Sequence, residues 1–298
     1  MASWNEILTR LGETPSPYDQ IRREYVKQLS AKTGRNTIVY YSSWLQKSIS
    51  AGGRFDFGIN DYDKTGFMTC IHKLDKAKGL DLILHTPGGD VSATESLVTY
   101  LKSIFGNDIR VIVPQMAMSA GTMIACSAKS IVMGKESSLG PIDPQYGMYR
   151  AHGIIEEFNT IQSLFKTNQA QAQAWVPILS KYNPTLIGEC QKAIDWASGL
   201  VKDWLKTNMF LGDAAADAKA QPIVDYLSNH ALTKSHSRHI HADKLKSLGL
   251  VIEDLEADND FQDIVLSIHH ATIITFTNTN AVKIIENQNG VSFISSLN

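Results

Sequence analysis

Cysteine is scarce in this chain: Cys70, Cys126 and Cys190 are the only three in 298 residues, and they form no CxxC pair. An odd number of scattered cysteines argues against a disulfide framework and fits a reducing cytosol. An excess of charge is also lacking, because the net charge is −2. That balance gives no electrostatic case for a nucleic-acid or anionic-membrane partner. With no GxGxxG motif, we expect no dinucleotide cofactor, and no other cofactor is indicated.

A membrane-spanning segment is not expected either. The longest apolar stretch covers residues 111–133, but Pro114, Gln115 and Lys129 interrupt it. A buried strand, a buried helix and another strand explain this stretch better than a transmembrane helix does. The first residues lack the basic and apolar regions of a signal peptide, so the sequence predicts a cytoplasmic protein.

Strand patterns alternate with helix patterns through the first half of the chain. β-branched and aliphatic runs predict strands at residues 37–41, 80–85, 109–113 and 130–133. This alternation predicts an α/β fold with a largely parallel sheet. Long helical patterns dominate from residue 151. We therefore expect three segments: an N-terminal helical arm (1–36) on the core or on a neighbouring subunit, a core (37–150), and a helical lid or oligomerisation region with closing core elements and a tail (151–298).

Paired glycines follow the strand predicted at residues 80–85. The segment Thr86-Pro87-Gly88-Gly89 ends that strand and precedes an apolar helical stripe. Glycines let a backbone approach a ligand closely, and the N–H groups at a helix start point outward as donors. Such donors can stabilise an oxyanion that develops on a carbonyl oxygen. The same four residues would also make a plain turn.

A serine occupies the next strand-to-helix junction. Ser119 lies in Met118-Ser119-Ala120-Gly121, where small neighbours leave room for a substrate chain. The partial positive charge of a helix N-terminus favours an alkoxide and a tetrahedral oxyanion there. The alternative is that Ser119 only caps the helix, which serines often do.

The two segments together resemble a known family. The order strand, Pro-Gly-Gly, helix, strand, Ser-Ala-Gly, helix, strand, followed by Gly140-Pro141-Ile142-Asp143-Pro144-Gln145, resembles the Clp protease subunit and signal peptide peptidase A. It is most similar to the branch called serine dehydrogenase proteinases. The resemblance covers residues 80–147 closely, and a weaker match at residues 238–250 looks like the helix and turn that close the family core. It implies a Clp/crotonase-like ββα superhelix with an additional C-terminal helical region.

The same resemblance implies roles for individual residues. Ser119 takes the position of the family nucleophile. The backbone N–H groups of Gly88 or Gly89 and of Ala120 would form the oxyanion hole.

The general base is not fixed by the resemblance. The Clp subunit has a histidine where this chain has Asp143, so a triad in the usual places is not expected. Signal peptide peptidase A uses a Ser-Lys dyad, and Lys166 is a candidate because Leu164 and Phe165 could dry its surroundings. The alternative base is His236, near the position of the Clp catalytic aspartate. Asp143 itself would fix a turn or hold a base.

The segment that contains His236 allows a further interpretation. His236, His239 and His241 could suggest a metal site, but no carboxylate or cysteine cluster accompanies them, so none is predicted. A partly exposed basic loop is the simplest account of these three histidines.

The expected function is that of a cytoplasmic serine peptidase. Its partners would be peptides or unfolded proteins bound as a strand beside the Pro-Gly-Gly loop, and it would form a homo-oligomer without nucleic acid. One alternative is a crotonase-type acyl-CoA hydrolase or hydratase, although no carboxylate lies between Pro114 and Lys135 to serve it. The other is a non-catalytic scaffold that retains the fold, which the absence of the Clp-type histidine would favour.

Overall fold

Twelve strands are present in the computed structural model, which describes residues 17–51, 55–147 and 149–297. In chain order they are β1 (Asn36–Ser42), β2 (Leu80–His85), β3 (Ile109–Val113), β4 (Met116–Ala117), β5 (Ser130–Met133), β6 (Ser138–Leu139), β7 (Gln145–Tyr146), β8 (Tyr149–Arg150), β9 (Ile240–His241), β10 (Ile252–Asp254), β11 (Ala281–Asn287) and β12 (Ser292–Ser296).

The helices lie before and between these strands. They are α1 (Pro17–Thr33), α2 (Trp44–Ala51), α3 (Asp61–Ile71), α4 (Val91–Phe105), α5 (Ala120–Cys126), α6 (Ala151–Thr167), α7 (Gln169–Gln173), α8 (Val176–Leu179), α9 (Leu186–Trp204), α10 (Ala216–Ser228), α11 (His230–Thr233), α12 (Ala242–Ser247) and α13 (Asn259–Asn278). A π-helical turn, Leu205–Met209, continues α9.

The main sheet has seven strands in the order β10-β5-β3-β2-β1-β11-β12. The first five are parallel, and β11 and β12 add an antiparallel hairpin beside β1. Every residue of β1, β2, β5 and β11 is buried, as expected for strands covered on both faces. The predicted α/β class with a largely parallel sheet is therefore confirmed.

Alternate residues of the strands pack into two separate cores. Ile38, Leu82 and Val111 face the core that α3, α4, α5, α9 and α10 cover. Val39 and Ile83 face the opposite core, where α1 and α13 form the covering layer. The period of two along each strand thus places helices on both faces of the sheet.

The N-terminal helix is attached to the core of the chain. Arg22 of α1 is fully buried, and its Nε lies 2.7 Å from Oε2 of the buried Glu286 in β11. Buried opposite charges of this kind compensate each other's loss of hydration. Helix α1 therefore packs on the core of its own chain, which is one of the two positions expected for the arm. Residues 1–16 lie outside the described part.

The helices after residue 151 form a smaller cluster of their own. Residues of α6 and α9 make an apolar cluster separate from the two sheet cores: Ala151, Ile154, Leu186, Cys190 and Ile194. Later elements return to the sheet, since β10 pairs with β5 and α13 covers the second face. The division into segments 1–36, 37–150 and 151–298 remains a prediction. No helix within the described ranges has the length and apolar character needed to cross a membrane.

A second, three-stranded sheet positions the candidate site. β4 pairs in parallel with β6, and β6 pairs antiparallel with β9. Ala117, Leu139 and Ile240 are in register across these strands. Chain segments that leave β4 and β6 therefore lie at the same end of this sheet as the segment that enters β9.

Candidate active site

Ser119 lies in a strained turn between β4 and α5. Its φ is 50° and its ψ is −115°, a left-handed conformation that a side chain disfavours. Residues held in sparsely populated conformations cluster at functional sites, at a cost of about 1–3 kcal/mol. The Ser119 side chain makes no capping hydrogen bond to α5, so the interpretation of this serine as a simple helix cap is wrong.

The Pro-Gly-Gly loop lies directly against this serine. The Thr86 N–H donates to the Met116 carbonyl at 3.3 Å, and the Met118 N–H donates to the Thr86 carbonyl at 3.0 Å. Gly88 has a φ of +107°, and a Cβ on it would lie 2.6 Å from the Cβ of Ser119. Only glycine therefore fits at position 88, and the two motifs noted in the sequence meet at one place.

Two backbone N–H groups remain as donors beside Ser119. The Gly88 N–H donates to Oγ1 of Thr86 at 3.2 Å. By contrast, the N–H groups of Gly89 and Ala120 have no acceptor within the described ranges. A Cβ on Gly88 would lie 3.1 Å from the Ala120 nitrogen, so the loop and the first residue of α5 are in close contact. This arrangement favours Gly89 over Gly88 as a partner of Ala120 in binding an anion.

His236 forms a hydrogen-bonded pair with Asp143. The His236 Nδ1 lies 2.9 Å from Oδ1 of Asp143, which is completely buried. An ionised carboxylate can only accept hydrogen bonds, so the imidazole Nδ1–H donates and Nε2 is left as the basic nitrogen. The Nε of Arg150 lies 3.3 Å from the other oxygen, Oδ2, and its charge compensates the buried carboxylate.

The small sheet places the chain segments of Ser119, Asp143 and His236 at one of its ends. Ser119 follows Ala117 of β4 by two residues, and Asp143 follows Leu139 of β6 by four. His236 precedes Ile240 of β9 by four residues. Gly140 links two of these segments, because a Cβ there would lie 3.2 Å from the Ser119 nitrogen. The Ser119 hydroxyl itself makes no hydrogen bond within the described ranges, as is common before a substrate binds.

Lys166 has surroundings different from those that the sequence suggested. It lies in the last turn of α6 with its side chain exposed, and the side chain of Phe165 is 42% exposed. Residues adjacent in a helix point in different directions, so Leu164 and Phe165 do not enclose the lysine. The structure brings Ser119, Gly88, Gly89 and Ala120 together but provides no apolar environment that would make Lys166 a base.

The other two histidines of the segment have partners of their own. The His239 Nδ1 lies 2.8 Å from the Ser138 hydroxyl, and the His241 Nδ1 lies 3.0 Å from the Ser137 carbonyl oxygen. These histidines anchor β9 to β6. Within the described ranges, no group of three or more histidine, cysteine or acidic side chains is placed to hold a metal ion.

Comparison with known proteins identifies the family. The family model described as ClpP-like SDH-type serine proteinase matches residues 18–266. The chain belongs to this family. The match includes the five parallel strands of the main sheet, the three-stranded sheet, the Pro-Gly-Gly loop, Ser119 and the His236–Asp143 pair, and it confirms the resemblance seen in the motifs. At the level of the family, the chain is therefore a serine proteinase.

Two proteins of Methanocaldococcus jannaschii are similar to this ClpP-like chain. One uncharacterized protein is 32% identical over 238 residues, which cover 78% of this chain and 73% of the relative. A second uncharacterized protein is 32% identical over 173 residues, or 58% of this chain and 51% of that relative. Neither carries a described activity, so the mechanism has to be argued from the site itself.

Proposed function

We propose that this proteinase hydrolyses peptide bonds through an acyl-enzyme on Ser119, with His236 as general base and Asp143 as the residue that orients it. The 2.9 Å pair between His236 and Asp143, at the end of the small sheet where Ser119 lies, carries this proposal. Compared with the Clp subunit, the histidine and the aspartate exchange positions along the chain. Triads depend on geometry rather than on chain order, so the exchange leaves the chemistry intact.

The reaction follows from the three side chains. Ser119 Oγ attacks the peptide carbonyl carbon while its proton moves to His236 Nε2, and the carbonyl electron pair moves to the oxygen. Collapse of this intermediate breaks the C–N bond, and the leaving amine takes the proton from His236. A water molecule then attacks the acyl carbon and loses a proton to His236. Collapse of this second intermediate breaks the bond between the carbon and Ser119 Oγ, His236 returns the proton to Ser119, and the carboxylic acid product leaves.

The backbone would stabilise the intermediate. The N–H groups of Gly89 and Ala120 are the proposed oxyanion-hole donors, because both lie beside Ser119 without an acceptor in the described ranges. Fixed donors of this type act on charge that develops in the transition state, where each is worth about 10²–10³-fold in rate.

The substrate strand would bind along one side of the Gly88-Gly89 segment. Ile59 already occupies the other side, since its N–H donates to the Gly88 carbonyl at 2.7 Å and its carbonyl accepts from Asp90 at 2.9 Å. The N–H and C=O of Gly89 point away from Ile59 and remain for a peptide. An extended peptide or unfolded segment is thus the proposed substrate class, bound by strand addition.

Digestion of a defined peptide pool tests this function. Wild-type protein should generate new peptide termini that mass spectrometry detects, and Ser119→Ala should generate none above the background. The reason is that the variant retains the fold but has no oxygen that can form the acyl-enzyme. Hydrolysis of an acyl-CoA thioester without cleavage of peptides would instead favour the crotonase-type alternative. Peptide cleavage that persists in Ser119→Ala would contradict the proposal.

A homo-oligomer is proposed on the basis of exposed apolar side chains. Trp204 is buried in the core, but Trp196 of α9 is 43% exposed. In α8, Val176 is 46% exposed and Ile178 is 42% exposed. Helices of this kind usually cover such side chains against a neighbour. Light scattering at micromolar concentration should give a mass at least about twice that of one chain. A monomer mass would contradict this expectation.

A further inference from the structure

A buried lysine lies in the C-terminal hairpin, outside the residues that the family model matches. Lys283 belongs to β11, whereas the family match ends at residue 266. Its side chain is only 4% exposed, and that of its ionic partner, Asp63 of α3, is 3% exposed. Lysine is almost never buried so completely unless it is paired, so this position calls for a specific role.

The Lys283–Asp63 pair holds the chain on both sides of Ile59. The Lys283 Nζ lies 3.1 Å and 3.0 Å from the two carboxylate oxygens of Asp63, and it also donates to the Gly58 carbonyl. The Asp63 carboxylate accepts in turn from the Asn60 N–H at 3.0 Å and from the Tyr40 hydroxyl at 2.8 Å. The residues before and after Ile59 are therefore fixed by one buried network.

Ile59 is in turn the partner of the Pro-Gly-Gly loop. Its two backbone hydrogen bonds, to the Gly88 carbonyl and from the Asp90 N–H, lie on either side of Gly89. A Cβ on Gly89 would overlap the backbone of Ile59, which shows how closely the two segments approach. The direction in which the Gly89 N–H points is thus determined by where Ile59 is held.

We propose that Lys283 is a positioning residue for the oxyanion hole: through Asp63 and residues 58–60 it fixes the N–H of Gly89 toward Ser119. The inference rests on the proposed function, because it concerns the donor that stabilises the intermediate. The C-terminal hairpin would thus contribute to catalysis through the position of the Gly89 N–H. A donor that is displaced by a fraction of an ångström loses transition-state stabilisation while ground-state binding changes little, so the rate of acylation should fall more than the affinity.

The test compares a variant that loses the buried Lys283 with one that loses another buried lysine, Lys47. Lys283→Met combined with Asp63→Asn removes the ion pair without leaving an unpaired charge, and the asparagine oxygen can still accept from Asn60 and Tyr40. Lys47→Met is the matched control, because Lys47 is a buried lysine that donates to the carbonyls of Thr279 and Ala281 near the same hairpin. Lys283→Gln combined with Asp63→Asn keeps two neutral polar side chains in place of the ion pair, and it provides a milder change should the first double variant fail to fold.

Two measurements test the proposal: the rate at which a probe labels Ser119, and hydrogen exchange at the Asp90 amide. A fluorophosphonate probe forms a P–O bond to the serine oxygen and releases fluoride. The maximum rate of this labelling at Ser119 should fall about 10-fold or more in Lys283→Met with Asp63→Asn, with less than about twofold change in probe affinity. Lys283→Gln combined with Asp63→Asn should change the rate in the same direction but less, and Lys47→Met should match wild type. Hydrogen exchange should also quicken at the Asp90 amide, whose bond to Ile59 would loosen.

The two readouts separate this inference from the function it rests on. If the probe does not label Ser119 in wild-type protein, the proposed function fails, but the exchange rate at Asp90 still reports whether Lys283 holds the loop. Unchanged exchange in a folded Lys283 variant overturns the inference. A fall in the labelling rate that Lys47→Met reproduces also overturns it, because Lys283 would then act only on the stability of the hairpin.

Discussion

Replacing His236 by alanine should lower the rate of peptide hydrolysis by about 10³-fold, while Lys166→Ala should leave it within about twofold of wild type. His236 is held by a buried carboxylate at 2.9 Å, and general-base catalysis by a positioned histidine contributes about 10²–10⁴-fold. Lys166 lies exposed at the end of α6, without the apolar surroundings that a lysine base requires. Hydrolysis of the same peptide by the three proteins, each checked for folding and assembly, makes the comparison.

The pH profile gives an independent answer to the same question. A histidine base produces a rate that rises through about pH 6–7 and then reaches a plateau. A lysine base would produce a rate that continues to climb into the alkaline range. An inactive Lys166→Ala together with an active His236→Ala would support the Ser-Lys dyad instead. Full activity in both variants would show that neither residue is the base.

Acidification from pH 7 to pH 5 should destabilise the protein by about 3 kcal/mol through two buried histidines. Burial lowers the pKa of His85 to about 4 and, together with the nearby His85 and His270, lowers the pKa of His269 to about 3. His85 packs between Tyr41 and Trp44, with ring centroids 5.1 Å and 4.5 Å away. Between pH 4 and about 6.5 the unfolded chain therefore binds protons that the folded chain does not.

The sign of this effect follows from those pKa values. Stability from the neutral histidines is complete above about pH 6.5 and decreases as the pH falls toward 4, because protonation then favours the unfolded chain. The free energy of unfolding from urea titrations at several pH values measures it. His269→Gln should reduce the slope by about half, whereas the exposed His72→Gln should leave it unchanged. A wild-type curve that is flat between pH 7 and pH 5 would contradict the prediction.

The core of the fold could be predicted because its signals are local. The strands β1, β2, β3 and β5 are short, mostly apolar runs, and Asn60 begins α3 with a capping box, which is a local signal as well. The β-branched run Thr272 to Phe276 is helical and not extended, since it lies in the C-terminal part of α13. Burial against α1 and the sheet outweighs the weak strand preference of those residues.

The chemistry of the site was only partly accessible from sequence. Ser119 and the glycines are recognisable because each follows a strand and precedes a helix. The pairing of Asp143 with His236 cannot be recognised in the sequence, because the two residues are 93 positions apart and meet through two-residue strands that have no sequence signal. Asp143 was expected to fix a turn or hold a base, and in the structure it contacts the base candidate. Lys283 carried no motif at all, and only its burial beside Asp63 reveals it.

The identity of the nucleophile is tested most directly by covalent labelling. A fluorophosphonate probe should form one adduct, located by peptide mass spectrometry on the Ser119 oxygen, in wild-type protein but not in Ser119→Ala. Labelling should also fall strongly in His236→Ala, because the hydroxyl then lacks its base. An adduct on another serine, or equal labelling of wild type and Ser119→Ala, would contradict the account.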